Sequence, residues 1–300
     1  MPTELPVRAF VGIDGGATKT RTRAVTLDGN PIGEGVAGPG SLTLSPEIAA
    51  INCRDALLQA LGASGVTPEA CRVVCGMAGH RHPTMRKAFE QRLADLGDLE
   101  VISDGYAALL GAHHGTAGGV VITGTGSVAL RLDERGAVKQ FGGFGPVCGD
   151  EGGGNWLGRA AVREALRELD ESADGAKPMS PLAVALISHI GGAHEAILDW
   201  ISRADATRFA ELVPLIARYG SEHDCLATKL LDEATVEICR LIQLVGRNGE
   251  LPVAVVGGLA GLLGARFSDE VRSCLYAPKG DAMDGAILRA RGVAPPEHYG

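Results

Sequence analysis

Aromatic residues are scarce, 4% of the 300 residues, while glycine fills 43 positions. A core must then be built from Ala, Gly, Val and Leu, which suits an α/β protein. No apolar run approaches the ~20 residues needed to span a bilayer. The opening Met1-Pro-Thr-Glu4 has no basic segment followed by an apolar one, so no signal peptide is expected. Cysteines number seven, an odd count whose spacings repeat nothing. Cys71 and Cys75 lie four apart, with no second pair to complete a zinc or cluster site. Reduced thiols acting as small hydrophobes, and a cytoplasmic protein, are the expectation. His80, His82, His113 and His114 show no metal-ligand spacing and read as solvated loop residues. Charge is sparse and acidic, 21% charged residues and a net −8, which argues against nucleic acid or an anionic membrane as partner. The 45% hydrophobic share argues against disorder.

What is present is one glycine-rich hairpin written twice. The first copy is Val11-Gly-Ile-Asp-Gly-Gly-Ala-Thr-Lys-Thr20, and the second is Val120-Val-Ile-Thr-Gly-Thr-Gly-Ser127. In each, an apolar run ends in small residues and a second strand follows at once. Small residues let main-chain N–H groups converge on an anion, because no Cβ holds it away. The first loop is not a P-loop, since Ala17 and Thr18 precede Lys19. The second contains Gly124-x-Gly126-x-x-Ala129, a dinucleotide fingerprint as a string. That fingerprint needs a helix at its glycines, and Val128, Leu130 and Leu132 alternate as a strand instead. Two such turns would hold a polyphosphate between two domains, which the chain length also favours. The boundary falls in His114–Gly119, giving 1–117 and 118–300, with a final helix near 281–292 that could return to the first half.

Further elements follow from spacing and punctuation. In the first half these are a strand at Pro31–Val36, a helix at Pro46–Leu61, a strand at Cys71–Cys75, a helix at Thr84–Leu96, a strand at Leu99–Ile102 and a helix at Gly105–His113. The second half reads as mostly helical beyond its hairpin. Its helices span Glu151–Leu169, Pro181–Ile190, His194–Ser202, Ala206–Tyr219 and Ser221–Val245, and a buried strand at Pro252–Val256 follows. Asp14, at the carboxyl end of a strand, can hold magnesium. Asp104, between strand and helix, can cap that helix or act as a general base, and a helix N-terminus would keep it ionised. Gly142-Gly-Phe-Gly145 and Gly149-Asp-Glu-Gly-Gly-Gly154 imply close approach of backbone to a ligand, with Asp150 as a binding carboxylate. Gly257-Gly258 can admit a flat ring against backbone or simply make a turn.

In order, these pieces resemble the sugar kinase, heat-shock chaperone and actin superfamily. Thr123-Gly-Thr-Gly-Ser127, Gly142-Gly-Phe-Gly145, Gly149-Asp-Glu-Gly152 and Ser103-Asp-Gly105 look like the N-acetylglucosamine and glucosamine kinases of the BadF/BadG-type ATPase family. The resemblance implies two actin-like (ribonuclease H-like) α/β domains with an interdomain ATP and sugar cleft. It also implies Mg-ATP-dependent phosphorylation of the 6-hydroxyl of an amino sugar. By it, Asp14, Gly15, Gly16, Thr18, Lys19, Gly124, Thr125 and Gly126 serve the phosphates and magnesium, and Gly257 and Gly258 the nucleoside. Asp104 matches the base, and Ser41, Gly143, Phe144 and Asp150 match sugar positions. Two departures bear on the sugar: Ser41 stands where the family commonly has Asn, and Phe144 where it tends to have Trp. The resemblance further implies a homodimer through the helical second half. Rival functions are an ATPase that activates a radical dehydratase or reductase, which needs cysteines for a shared cluster, and a non-catalytic sugar or nucleotide sensor.

Overall fold

The structure, a computed structural model, describes residues 6–175 and 177–298; the segment Met1–Glu4, read above for a leader pattern, lies outside them. The first stretch runs β1 Ala9–Gly15, β2 Thr20–Thr26, β3 Pro31–Ala37, α1 Pro46–Leu61, β4 Cys71–Met77, α2 Pro83–Arg92, β5 Asp98–Ser103 and α3 Asp104–His113. A second group follows as β6 Gly118–Thr123, β7 Ser127–Leu132, β8 Val138–Gly142 and α4 Gly154–Ala173. Helices then dominate: α5 Pro181–His189, α6 His194–Arg203, α7 Ala206–Ala210, α8 Val213–Ser221 and α9 Cys225–Gly246. The chain ends with β9 Val253–Val256, α10 Ala260–Gly264, α11 Asp269–Ser273 and α12 Ala282–Ala290.

By its contacts the chain forms two compact units. Among the described residues one takes 6–120, 130–139 and 277–298, and the other takes 121–129 and the described part of 140–276. In the first unit a five-stranded sheet has the order β3-β2-β1-β4-β5. β1 pairs antiparallel with β2 and parallel with β4, which in turn runs parallel to β5. β1 is therefore central, and Ala9, Val11 and Ile13 are fully buried in it. β2 alternates: Thr20, Thr22 and Ala24 face the core, while Arg21 and Arg23 stay partly open. α1 begins where Ser45 accepts the Ile48 N–H (3.2 Å) ahead of Pro46, and ends at Gly62. It buries Ala49, Cys53, Leu57 and Ala60, a helical stripe.

α12 packs back onto β1 and α3. The approach is possible because Gly111 of α3 faces the Asp281 carbonyl, and Gly285 of α12 faces the Ala107 carbonyl and the Gly111 N–H. A side chain at either glycine would overlap main chain. Asp281 and Asp284 form a capping box at the start of α12, and Arg23 of β2 pairs with both.

In the second sheet the order is β8-β7-β6-β9. The core of the second unit gathers Val121, Leu157, Leu186, Ile216, Leu230 and Ile238 among others. Sequence and structure differ in several places. β8 is a half-polar edge strand, and an edge needs too little hydrophobicity to stand out. The helix read over Ala206–Tyr219 is two helices, α7 and α8, with Pro214 in the first turn of α8. α4 starts at Gly154 rather than Glu151, because the preceding glycines hold a loop. Among the described residues no single helix is long and apolar enough to cross a membrane.

Candidate active site

In the first unit, β1 and β2 meet through a four-residue loop, 16–19, closed by the Gly16 N–H donating to the Lys19 carbonyl (3.0 Å). Thr18 and Lys19 are exposed at its tip, while Gly15 is buried beneath it. The loop 38–41 is tied to this turn. Gly40 N–H donates to the Gly16 carbonyl (2.8 Å), and Thr20 Oγ1 donates to the Gly38 carbonyl (2.9 Å). Ser41 is buried, with its hydroxyl 2.9 Å from Thr43 Oγ1, so that group is already engaged.

Asp14 lies directly across the hairpin from Arg21, and its Oδ2 accepts from Arg21 Nη2 at 2.6 Å. Sequence reasoning missed Arg21, although a loop of four residues fixes this register. No group of three His, Cys, Asp or Glu side chains suited to a metal occurs among the described residues. A magnesium ion here would therefore rest on the single carboxylate of Asp14. That fits an ion whose remaining positions are filled by water and nucleotide phosphates.

Asp104 is the first residue of α3, not its cap. Ser103 is the N-cap, and its hydroxyl accepts the Tyr106 N–H at 2.9 Å. Asp104 Oδ1 accepts the Gly105 N–H at 2.9 Å. Burial raises the Asp104 carboxyl to about 6, helped by the negative charges of Asp14 and Glu297 and opposed by the Gly105 bond. The helix N-terminus alone would have held it down, so burial wins.

Glu297, from the C-terminal tail, was not anticipated. Its carboxylate accepts the Ser103 N–H (2.9 Å) and the Ser103 hydroxyl (2.6 Å). Its partner from the other side is His80, at 3.5 Å. His80 and His113 are buried rather than solvated, and burial lowers both below the usual histidine range. His113 Nε2 lies 2.8 Å from the Gly119 carbonyl.

The second unit holds the other motifs. Its hairpin loop, 124–126, is closed by the Gly124 N–H donating to the Gly126 carbonyl (2.9 Å). The carbonyls of Gly124 and Thr125 accept the N–H groups of Gly154 and Asn155, each at 2.8 Å. The start of α4 is thus satisfied by the loop, and the loop is held by a helix. Thr125 is exposed and Gly124 faces open space.

Asp150 adopts a left-handed backbone, φ 60°. Its carboxyl is raised by burial, held down by the Gly145 and Ser127 N–H groups and raised further by Glu151. A Cβ on Gly126 would collide with the Asp150 carboxylate, and one on Gly153 would lie 2.6 Å from the Gly126 main chain. Part of the glycine density at 149–154 therefore serves protein-to-protein approach rather than a ligand. Gly143 and Phe144 are exposed, Phe144 at 83%. Gly257 lies against Thr123 main chain, whereas Gly258 faces open space.

Three similarities bear on these sites. A glucosamine kinase, GspK, of Vibrio cholerae is 28% identical over 96% of this chain and 97% of its own. An N-acetylmuramic acid/N-acetylglucosamine kinase of Clostridium acetobutylicum is 27% identical over 95% and 99%. A solved structure of a proposed N-acetylglucosamine kinase from Chromobacterium violaceum superposes with a TM-score of 0.87 at 32% identity, over 95% of this chain and 99% of that one. The fold is accordingly the two-domain actin-like α/β fold. With residues 11–276 matching the family as a whole, the chain belongs to the BadF/BadG/BcrA/BcrD ATPase family.

Proposed function

We propose that the protein is an ATP-dependent kinase that phosphorylates the 6-hydroxyl of an amino sugar, glucosamine or N-acetylglucosamine, with Asp104 as general base. The observation that carries this reading is the half-buried Asp104 carboxyl, raised to about 6 by desolvation, at the β5–α3 turn of a chain whose full-length relatives include amino sugar kinases. Such a group is ionised at neutral pH, yet basic enough to take a hydroxyl proton as the oxygen attacks phosphorus. Phosphoryl transfer asks a protein chiefly for positioning and charge stabilisation. Gly15, Gly16, Thr18 and Lys19 in one loop and Gly124, Thr125 and Gly126 in the other contact the phosphates of ATP. Gly257 and Gly258 lie by the nucleoside. Asp14 would hold magnesium, which neutralises phosphate charge when bound. Gly143, Phe144 and Asp150 bind the sugar, with Ser41 in its pocket. Ser41 and Phe144 are the residues on which the choice between amine and acetamide rests. The protein works in the cytoplasm as a homodimer.

The test is incubation with Mg-ATP and each of glucosamine, N-acetylglucosamine and glucose, followed by detection of sugar 6-phosphate. An amino sugar 6-phosphate is expected. Asp104→Asn is expected to lower kcat by ~10²–10⁴ while ATP binding persists. Absence of product from every hexosamine and hexose would overturn the kinase reading. Near-normal turnover by Asp104→Asn would overturn the base assignment.

A further inference from the structure

Glu297 sits in a short tail, 194 residues downstream of its partner Ser103 in sequence. Its side chain is only 9% exposed. Burying a carboxylate is costly unless it is fully engaged, and this one is. Oε2 accepts the Ser103 N–H at 2.9 Å and Oε1 accepts the Ser103 hydroxyl at 2.6 Å, short charge-assisted bonds. Ser103 closes β5, the edge strand of its sheet, so its N–H is met here by a side chain rather than by another strand. Because the hydroxyl proton goes to Glu297, its lone pair is aimed at the Tyr106 N–H of α3. A directed chain therefore runs from tail carboxylate through Ser103 into the first turn of the helix that starts with Asp104.

The tail is itself clamped on both sides of Glu297. Tyr106 Oη donates to the Pro295 carbonyl (2.8 Å), and Val138 N–H donates to the His298 carbonyl (2.7 Å). Pro295 and Pro296 stiffen the approach. Around the carboxylate, His80, Arg81, Arg86 and Glu100 line a cavity of about 320 Å³. Ser103 could cap α3 unaided, as serine does at many helices. A buried acid brought from the far end of the chain adds nothing that capping alone requires. It does fix the N–H and the hydroxyl of the residue preceding Asp104.

We infer that Glu297 is a positioning residue for Asp104, holding the β5–α3 turn by its two bonds to Ser103. The inference rests on the reading of Asp104 as the base. Misplacing a reacting group by about an ångström can cost ~10²-fold in rate, which makes such a hold consequential.

The experiment measures kcat, KM for ATP and for the amino sugar, thermal midpoint and ATP-binding stoichiometry. The proteins are the full chain carrying Glu297→Ala, Glu297→Gln, Asp104→Asn, and Glu297→Ala combined with Asp104→Asn. Glu297→Ala is expected to lower kcat by ~10- to ~100-fold with both KM values near those of the wild type. Glu297→Gln keeps one acceptor oxygen and should recover part of the loss. Once Asp104 is Asn, Glu297→Ala should cost little more, since a positioning residue acts through the group it positions. Unchanged kcat in Glu297→Ala overturns the inference. So does a loss that merely tracks lost ATP-binding sites, or one that persists at full size in the Asp104→Asn background. A fully active Asp104→Asn defeats the base reading instead, which separates the two failures. Should Glu297→Ala not fold, Glu297→Gln, alone and combined with Asp104→Asn, carries the same comparison, with the same outcomes deciding.

Discussion

At the residue scale, one carboxyl couples chemistry to stability. Asp104 titrates near 6 in the folded chain and near the ordinary aspartate value when unfolded. A raised acid stabilises the fold only while protonated. Its contribution is complete below the unfolded value, and it is lost as pH climbs through about 6. At neutral pH the folded protein therefore carries an ionised Asp104 at a cost, on the order of 1–3 kcal/mol for a shift of this size. Asparagine removes the charge yet keeps an oxygen for the Gly105 N–H. The Asp104→Asn protein without ligands should then melt at higher temperature than the wild type at pH 8, even though it has lost turnover. The advantage should shrink as pH falls through about 6 and vanish near pH 4. Thermal midpoints measured across that range check this, and an advantage indifferent to pH would refute it. Asp14 and Glu297, which help raise Asp104, lie 90 and 193 positions away in sequence. Reading the local string Ser103-Asp-Gly105 suggests a cap and a helix dipole, and both suggestions miss the burial that dominates.

Among the elements, the crossing of α3 and α12 shows how packing overrules propensity. Gly285 lies within α12, where alanine would be favoured by about 1 kcal/mol on helix propensity alone. A Cβ there, however, meets the Ala107 carbonyl and the Gly111 N–H. Overpacking of this kind costs about 1–3 kcal/mol, and here the obstacle is main chain that cannot swing aside. Gly285→Ala is accordingly expected to lower stability by about 1–2 kcal/mol net, read as a drop of a few degrees in thermal midpoint. A midpoint at or above the wild type would mean that the helices can part without penalty. Elements whose signal is local were legible from sequence. The two glycine hairpins and α1, with Ser45, Pro46 and Gly62 at its ends, needed no tertiary information. β8 was not legible, because Val138-Lys-Gln-Phe-Gly142 is a partner-dependent edge strand. The break between α7 and α8 was signalled by Pro214 and lost within a longer helical period.

For the whole molecule, the match to the ATPase family ends at residue 276, but the first unit does not. Residues 277–298 return to it. The motif positions Asp14, Asp104 and Asp150 could be found from strings that end in small residues and carboxylates. Glu297 could not, because nothing in Pro295-Pro-Glu297 foretells that it will bond a residue 194 positions upstream. The returning segment also carries α12, which buries Met283, Ile287, Ala282, Ala286 and Ala290 against the first sheet and α3. At roughly 1.5–3 kcal/mol for each large side chain and less for each alanine, the helix supplies on the order of 5 kcal/mol or more. Total stabilities of folded proteins are about 5–15 kcal/mol. A chain ended at Tyr276 would keep every residue of the family match and still lose an amount comparable to the whole margin. It is expected to lack cooperative melting of the first unit and to show no sugar phosphorylation, with far-ultraviolet circular dichroism showing helix loss well beyond the nine residues of α12. If instead that shortened chain melts as the full chain does and keeps its kinase activity, α12 is an ornament on the fold rather than part of its core.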